Sequence, residues 1–122
     1  MATIKEGLQK LSSDVDGFVG ACVVDSNSGM MLGSEGGGPG MNLEVAAAGN
    51  TEVVRAKRKT MNSLQLNDKI EDILISLARQ YHLIRPMEKK DGFFIYLVVD
   101  RNRANLAMAR HVLSDVEKSM SV

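Results

Sequence analysis

Residues 93–99 read Phe-Phe-Ile-Tyr-Leu-Val-Val, seven consecutive side chains that favour a pleated, buried backbone. No charge or glycine interrupts them, so both faces of the resulting strand must be covered. Just before them, Lys89-Lys-Asp-Gly92 carries an Asp-Gly pair that favours a hairpin turn. Upstream of that turn, residues 80–85 contain Tyr81, Leu83 and Ile84, and Pro86 closes the run because it cannot donate to a ladder. The expectation is an antiparallel pair with 93–99 at the centre of a sheet.

Working outward, residues 69–77 hold Ile70, Ile73, Leu74, Ile75 and Leu77 and read as a further strand. Residues 18–24, Phe-Val-Gly-Ala-Cys-Val-Val, form another doubly apolar strand, followed by the turn Asp25-Ser-Asn-Ser-Gly29 and a short strand over 30–32. Helical spacing marks the rest. Residues 3–16 place Ile4, Leu8, Leu11 and Val15 on one stripe, with Thr3 and Glu6 as a capping box and Gly17 at the end. Residues 42–66 place Leu43, Ala46, Ala47, Val53, Val54, Met61 and Leu64 within about 120° of arc. Glu44, Thr51, Glu52, Arg55, Arg58, Lys59 and Asn62 fall opposite, while Asn50 and Lys57 interrupt the apolar stripe. Residues 102–120 gather Leu106, Ala109, Val112, Leu113, Val116 and Met120 on one side.

The element order is αββαβββα across a single domain, 1–122. Two strands apolar on both faces need layers on both sides. The expected fold is an α/β (α+β) sandwich: a five-stranded antiparallel sheet with the long middle helix on one face and the two terminal helices on the other. Such a sheet has edges. The stretch Ile73-Leu-Ile-Ser-Leu77 is apolar, β-prone and proline-free, and at an edge it should pair with its own copy to make a symmetric dimer.

Composition narrows the function classes. The 122 residues carry 15 basic and 15 acidic side chains, a formal net charge of zero. Phosphate binding needs a basic excess, so nucleic acid is not expected as a partner. No apolar run approaches the length of a membrane span, and the first residues lack the apolar core of a signal peptide, so a cytoplasmic protein is expected. The lone cysteine, Cys22, fits a reducing compartment. It sits in an apolar strand, where a buried thiol is inert. Cys22, His82 and His111 are far apart in sequence and give no metal-ligand spacing. No metal, cofactor or catalytic constellation is expected.

The glycine-rich stretch 33–40 invites a phosphate reading. Gly33 and Gly38 have the spacing of a P-loop, but Pro39 stands where lysine is required, and Glu35 repels phosphate. A flexible connection is expected there. The cluster Arg55-Ala-Lys-Arg-Lys59 reads as a solvated face with ion pairs or as a polar rim that steers an acidic partner. Lys57 lies within the apolar stripe. Either its stem packs while its amine reaches water, or the stripe is a protein interface and Lys57 a polar register element.

The ordered combination resembles a known family. Phe18-Val-Gly-Ala-Cys-Val-Val-Asp25 followed by Ser28-Gly29-Met30 resembles the first hairpin of the Roadblock/dynein light chain family. Tyr81-His-Leu-Ile-Arg-Pro86 resembles its fourth strand, and residues 93–100 with Ala104-Asn-Leu-Ala-Met-Ala-Arg110 its last strand and helix. The resemblance spans essentially the whole chain, though its loop at 36–40 is richer in glycine than the family's. It implies homodimers, or heterodimers with a paralogue, joined by the third strand and middle helix. It also implies scaffolding or regulation of Ras-like small GTPases, which some prokaryotic members stimulate to hydrolyse GTP. On that basis Ile73, Leu74, Ile75, Ala47 and Val54 are expected to hold a dimer, and Glu44, Arg55, Arg58 and Lys59 to contact the GTPase. The alternative is a small-ligand sensor or adaptor without a GTPase partner. An enzyme is not expected.

Overall fold

The computed structural model describes residues 2–122. Its elements are α1 (Ile4–Asp14), β1 (Phe18–Asp25), β2 (Met30–Gly36), α2 (Leu43–Ser63), β3 (Ile73–Ser76), β4 (Gln80–Pro86), β5 (Phe93–Asp100) and α3 (Leu106–Ser119). The five strands form one antiparallel sheet in the order β2-β1-β5-β4-β3. β5 lies at its centre, as the unbroken apolar run requires, and six of its eight residues are buried.

Two apolar layers flank the sheet. Ala21, Val23, Leu83, Ile95, Leu97 and Val99 point one way, into a core closed by α1 and α3. Cys22, Val24, Ile84, Phe94, Tyr96 and Val98 point the other way, under Leu43, Ala47 and Val54 of α2. This strict alternation follows from the period of two along each strand.

Local chemistry sets the helix ends. Thr3 Oγ1 accepts from the Glu6 N–H at 3.1 Å and Glu6 Oε1 accepts from the Thr3 N–H at 3.0 Å, a complete capping box. Asn42 and Asn105 cap α2 and α3 through their side-chain oxygens. α3 therefore starts at Leu106, later than the expected 102, because Asp100 Oδ1 accepts from the Asn102 N–H and holds 100–104 as a turn.

Three expectations need correction. β2 runs from Met30 to Gly36 and not only over 30–32, so half of the expected glycine loop is strand. Gly33 is there for clearance: a Cβ on it would lie 2.8 Å from Ile4 Cγ2 of α1. β3 is only Ile73–Ser76, not 69–77, since residues before Ile73 leave the ladder. Thr51, expected on the polar side of the middle helix, is buried and donates its hydroxyl to the Ala47 carbonyl at 2.8 Å.

Polar links fasten α3 to the sheet. Arg85 on β4 pairs with Glu117 on α3 at 3.0 Å, both buried, and the second Glu117 oxygen accepts from the Glu88 N–H. Removing either partner would strand a buried charge, at about 3–5 kcal/mol. Arg110 on α3 forks onto Asp72 at 3.1 and 3.2 Å, anchoring the entry to β3.

Candidate interaction surface

α2 packs chiefly over the β1 and β2 side of the sheet. Its sheet-facing line is Leu43, Ala47, Thr51 and Val54, all buried. The flank turned towards β3 carries Ala46, Asn50, Val53 and Met61, which are half-buried, and Lys57, which is exposed. Beyond that flank the α2-side surfaces of β4 and β3 present Ile73, Ile75 and His82, again half-buried. A groove runs between helix and strand, lined by Val53, Lys57, Met61, Leu66, Ile70 and Ile73. Among the described residues β3 pairs only with β4, so its outer backbone groups form an open, aliphatic edge.

A polar chain lies at the border between the covered and bare parts of this face. His82 Nε2 and Gln80 Oε1 are 2.8 Å apart, and Tyr96 Oη and His82 Nδ1 are also 2.8 Å apart. With Gln80 oxygen accepting, Nε2 holds the proton and the Tyr96 hydroxyl donates to Nδ1, a network assignment of a neutral ring. Burial pushes the His82 imidazole below its ordinary value of 6.5. Burial raises the Tyr96 phenol, while the nearby Asn50 amide acts the other way.

The expected contact residues are distributed as follows. Ile73, Leu74 and Ile75 share β3, where Ile73 and Ile75 face the α2 side and Leu74 packs against the α1/α3 core. Ala47 and Val54 are each 1% exposed, spent inside the protomer's own core, because the helix turns them straight at the sheet. The α2 part of any surface contact therefore falls to Ala46, Val53 and Lys57, one step round the helix. Arg55, Arg58 and Lys59 do not form one patch. Arg55 reaches back to the β1–β2 turn, donating to the carbonyls of Ser26 at 2.6 Å and Asn27 at 3.0 Å and pairing with Glu52 at 3.2 Å. Arg58 turns into a cleft beside Met61, Pro86 and Met87. Glu44 and Lys59 are exposed. Sequence periodicity missed the Arg55 clamp because its acceptors are backbone carbonyls about thirty residues away.

Chemistry elsewhere is quiet. Cys22 is fully buried, and burial pushes its thiol up to about 12, which leaves no thiolate near neutrality. Among the described residues, no three His, Cys, Asp or Glu side chains gather as metal ligands would. No helix among them is long and apolar enough to cross a membrane. Gly36, Gly37 and Gly38 have φ of 71°, 91° and 80°, and the Gly37 N–H is taken by the Val19 carbonyl at 2.9 Å. That amide points into the protein and not towards an anion.

No family model matches the chain, and no curated protein matches it in sequence. Solved structures match its fold. A Roadblock/LC7 domain from Streptomyces avermitilis superposes with a TM-score of 0.82 at 13% identity, covering 97% of this chain and 94% of that one. Myxococcus xanthus MglB superposes with a TM-score of 0.81 at 14% identity, over 94% of this chain and 89% of that one. An MglB with a tetrameric arrangement gives 0.79 at 15% identity, over 95% and 83%. The chain has the Roadblock/LC7 fold.

Proposed function

We propose that this chain, built on the Roadblock/LC7 fold, is a non-enzymatic scaffold or regulator of a Ras-like small GTPase and works as a dimer. The observation that carries the reading is the unfinished surface beside α2. The β3 side of one sheet face, Ile73, Ile75 and His82, is only partly covered, next to an aliphatic strand edge. A second copy, adding its β3 to this β3, extends the sheet and covers the partly open strip with a second α2. The tetrameric arrangement of one MglB supports self-association as a habit of the fold. The GTPase rests on the family resemblance of the sequence and on the likeness to MglB, and the two α2 helices of the dimer then offer Glu44 and Lys59 as its contacts. Beneath the helices both layers of the sheet are packed with apolar side chains, which favours a protein partner over a small ligand.

The test is capture of purified small GTPases from the same genome, loaded with GDP or a GTP analogue, followed by single-turnover hydrolysis. Nucleotide-dependent capture with a changed hydrolysis rate supports a regulator. Capture without a rate change leaves a scaffold. Absence of capture in both nucleotide states overturns the GTPase reading.

A further inference from the structure

The groove beside α2 combines an apolar floor with charges of both signs. Asp68, Lys69, Glu71 and Asp72 rim it on the strand side and Lys57 on the helix side. Most of these charges already have local partners. Asp72 is held by the Arg110 fork, Lys69 is paired with Glu88, and Asp68 accepts from the Lys69 N–H at 2.8 Å. Lys57 and Glu71 remain. Among the described residues neither makes an ion pair or a side-chain hydrogen bond, and both are exposed on the same groove.

A two-fold contact demands a self-complementary patch: if residue i of one copy meets residue j of the other, then j also meets i. An apolar groove with one unpartnered cation on the helix side and one unpartnered carboxylate on the strand side has that property. It is also continuous with the open β3 edge, since Ile73 belongs to both. We infer that Lys57 and Glu71 are the charge-register pair of a contact between two copies of this chain, Lys57 of each protomer meeting Glu71 of the other. The inference rests on the dimer reading above and adds its alignment and its partner choice. The aliphatic floor attracts any apolar surface. The paired charges fix which register, and which partner, is tolerated, because a slipped or foreign surface would bring like charges together or leave both ions unpaired.

The arrangement permits a test by exchange. Lys57→Glu and Glu71→Lys are made singly and together and followed by sedimentation velocity, with native mass spectrometry of mixtures. Each single variant faces like charge at both equivalent pairs, and its dimer dissociation constant rises about tenfold or more. The double variant restores dimerisation. An equimolar mixture of the two single variants forms the heterodimer in preference to either homodimer, because both pairs are then of opposite charge. Glu52→Lys and Lys59→Glu, charge changes on the outer face of the same helix, show no such selectivity. A dimeric wild type whose single variants dimerise equally well overturns the register pair and leaves the dimer standing. Weakened single variants that do not rescue each other in the mixture also overturn it, since the charges would then act within one protomer. A wild type that stays monomeric overturns the dimer itself.

Discussion

The sheet has two edges, and the chain treats them differently. β2 is seven residues long and carries a bulge where its pairing with β1 shifts between Val23 and Val24. It includes Gly33 and Glu35, with Ile4 and Leu8 of α1 packed over one side and Met31 in the α2 layer on the other. β3 is four residues, Ile-Leu-Ile-Ser, in unbroken register with β4 and half bare on the α2 side. A bulged, glycine-bearing, charged and covered edge resists pairing, whereas an aliphatic one in unbroken register invites it despite its short length. Exposure alone does not separate the two, because Met30 and Leu32 on β2 are 67% and 43% exposed. What separates them is the continuity of the ladder and the cover above it.

The open edge should be far more sensitive to an added charge than the covered one. Ile75→Lys puts a charge on the partly open α2 side of β3 and should weaken self-association about 100-fold, about 2.8 kcal/mol. Leu32→Lys places the same charge on the bulged edge and should leave self-association within about twofold. Sedimentation velocity over a concentration series measures both. Equal weakening by the two variants would mean that the edges are not distinguished as argued.

A second effect bears on the covered edge alone. Gly33→Val drives a side chain into Ile4, whose Cγ2 lies 2.8 Å from the position of the first added atom. It should cost about 1–3 kcal/mol of unfolding free energy in urea. Ser76→Val on β3 is exposed and meets no such neighbour, so a change within about 0.5 kcal/mol is expected. A silent Gly33→Val would show that α1 does not press on β2 in solution.

How far the sequence revealed this contrast depends on which forces are local. The element order, the central place of β5 and both faces of the sheet follow from runs and alternation that any strand must obey. Ile73-Leu-Ile was legible as a strand that would pair if it lay at an edge, but its place in the sheet comes from long-range pairing that no local run of residues reveals. Periodicity misled at β2, since the same glycines that suggest a loop also allow a helix to approach a strand closely. The resemblance placed Ala47 and Val54 in a dimer contact, and a helix wheel could not correct it, since it does not say how much of an apolar stripe the protomer's own sheet consumes. The Arg85–Glu117 pair left no sequence signal, being 32 residues apart with ordinary neighbours.

Arg55 braces the covered edge from α2. Its guanidinium clips the turn leading into β2, through the carbonyls of Ser26 and Asn27. Arg55→Ala should lower the thermal unfolding free energy by about 1 kcal/mol, less than a buried charged bond is worth because the side chain is 51% exposed. Lys59→Ala, one turn on and exposed, should change it by less than about 0.5 kcal/mol. Partner capture that falls with Lys59→Ala but not with Arg55→Ala would assign the first to binding and the second to the turn.

The smallest effect is a slope with pH, and it comes from the bare side. His82 is held neutral between Gln80 and Tyr96, and burial sets its pKa below the ordinary 6.5. Above that value neither folded nor unfolded chain carries the extra proton. As pH falls below it, the unfolded chain takes up the proton first, so the folded state loses stability through the window beneath 6.5. Melting curves from about pH 7.5 to about pH 5.5 should show this loss in the wild type and less of it in His82→Gln. The ring is only half-buried in the single protomer, and solvent screens it. A second copy laid over Ile73 and Ile75 would bury it further and depress its pKa more. The slope should therefore steepen with protein concentration, and in Ile75→Lys it should stay at the shallow value of the isolated protomer. A slope independent of both concentration and that substitution would place His82 outside the contact and confine the self-pairing to the strand edge.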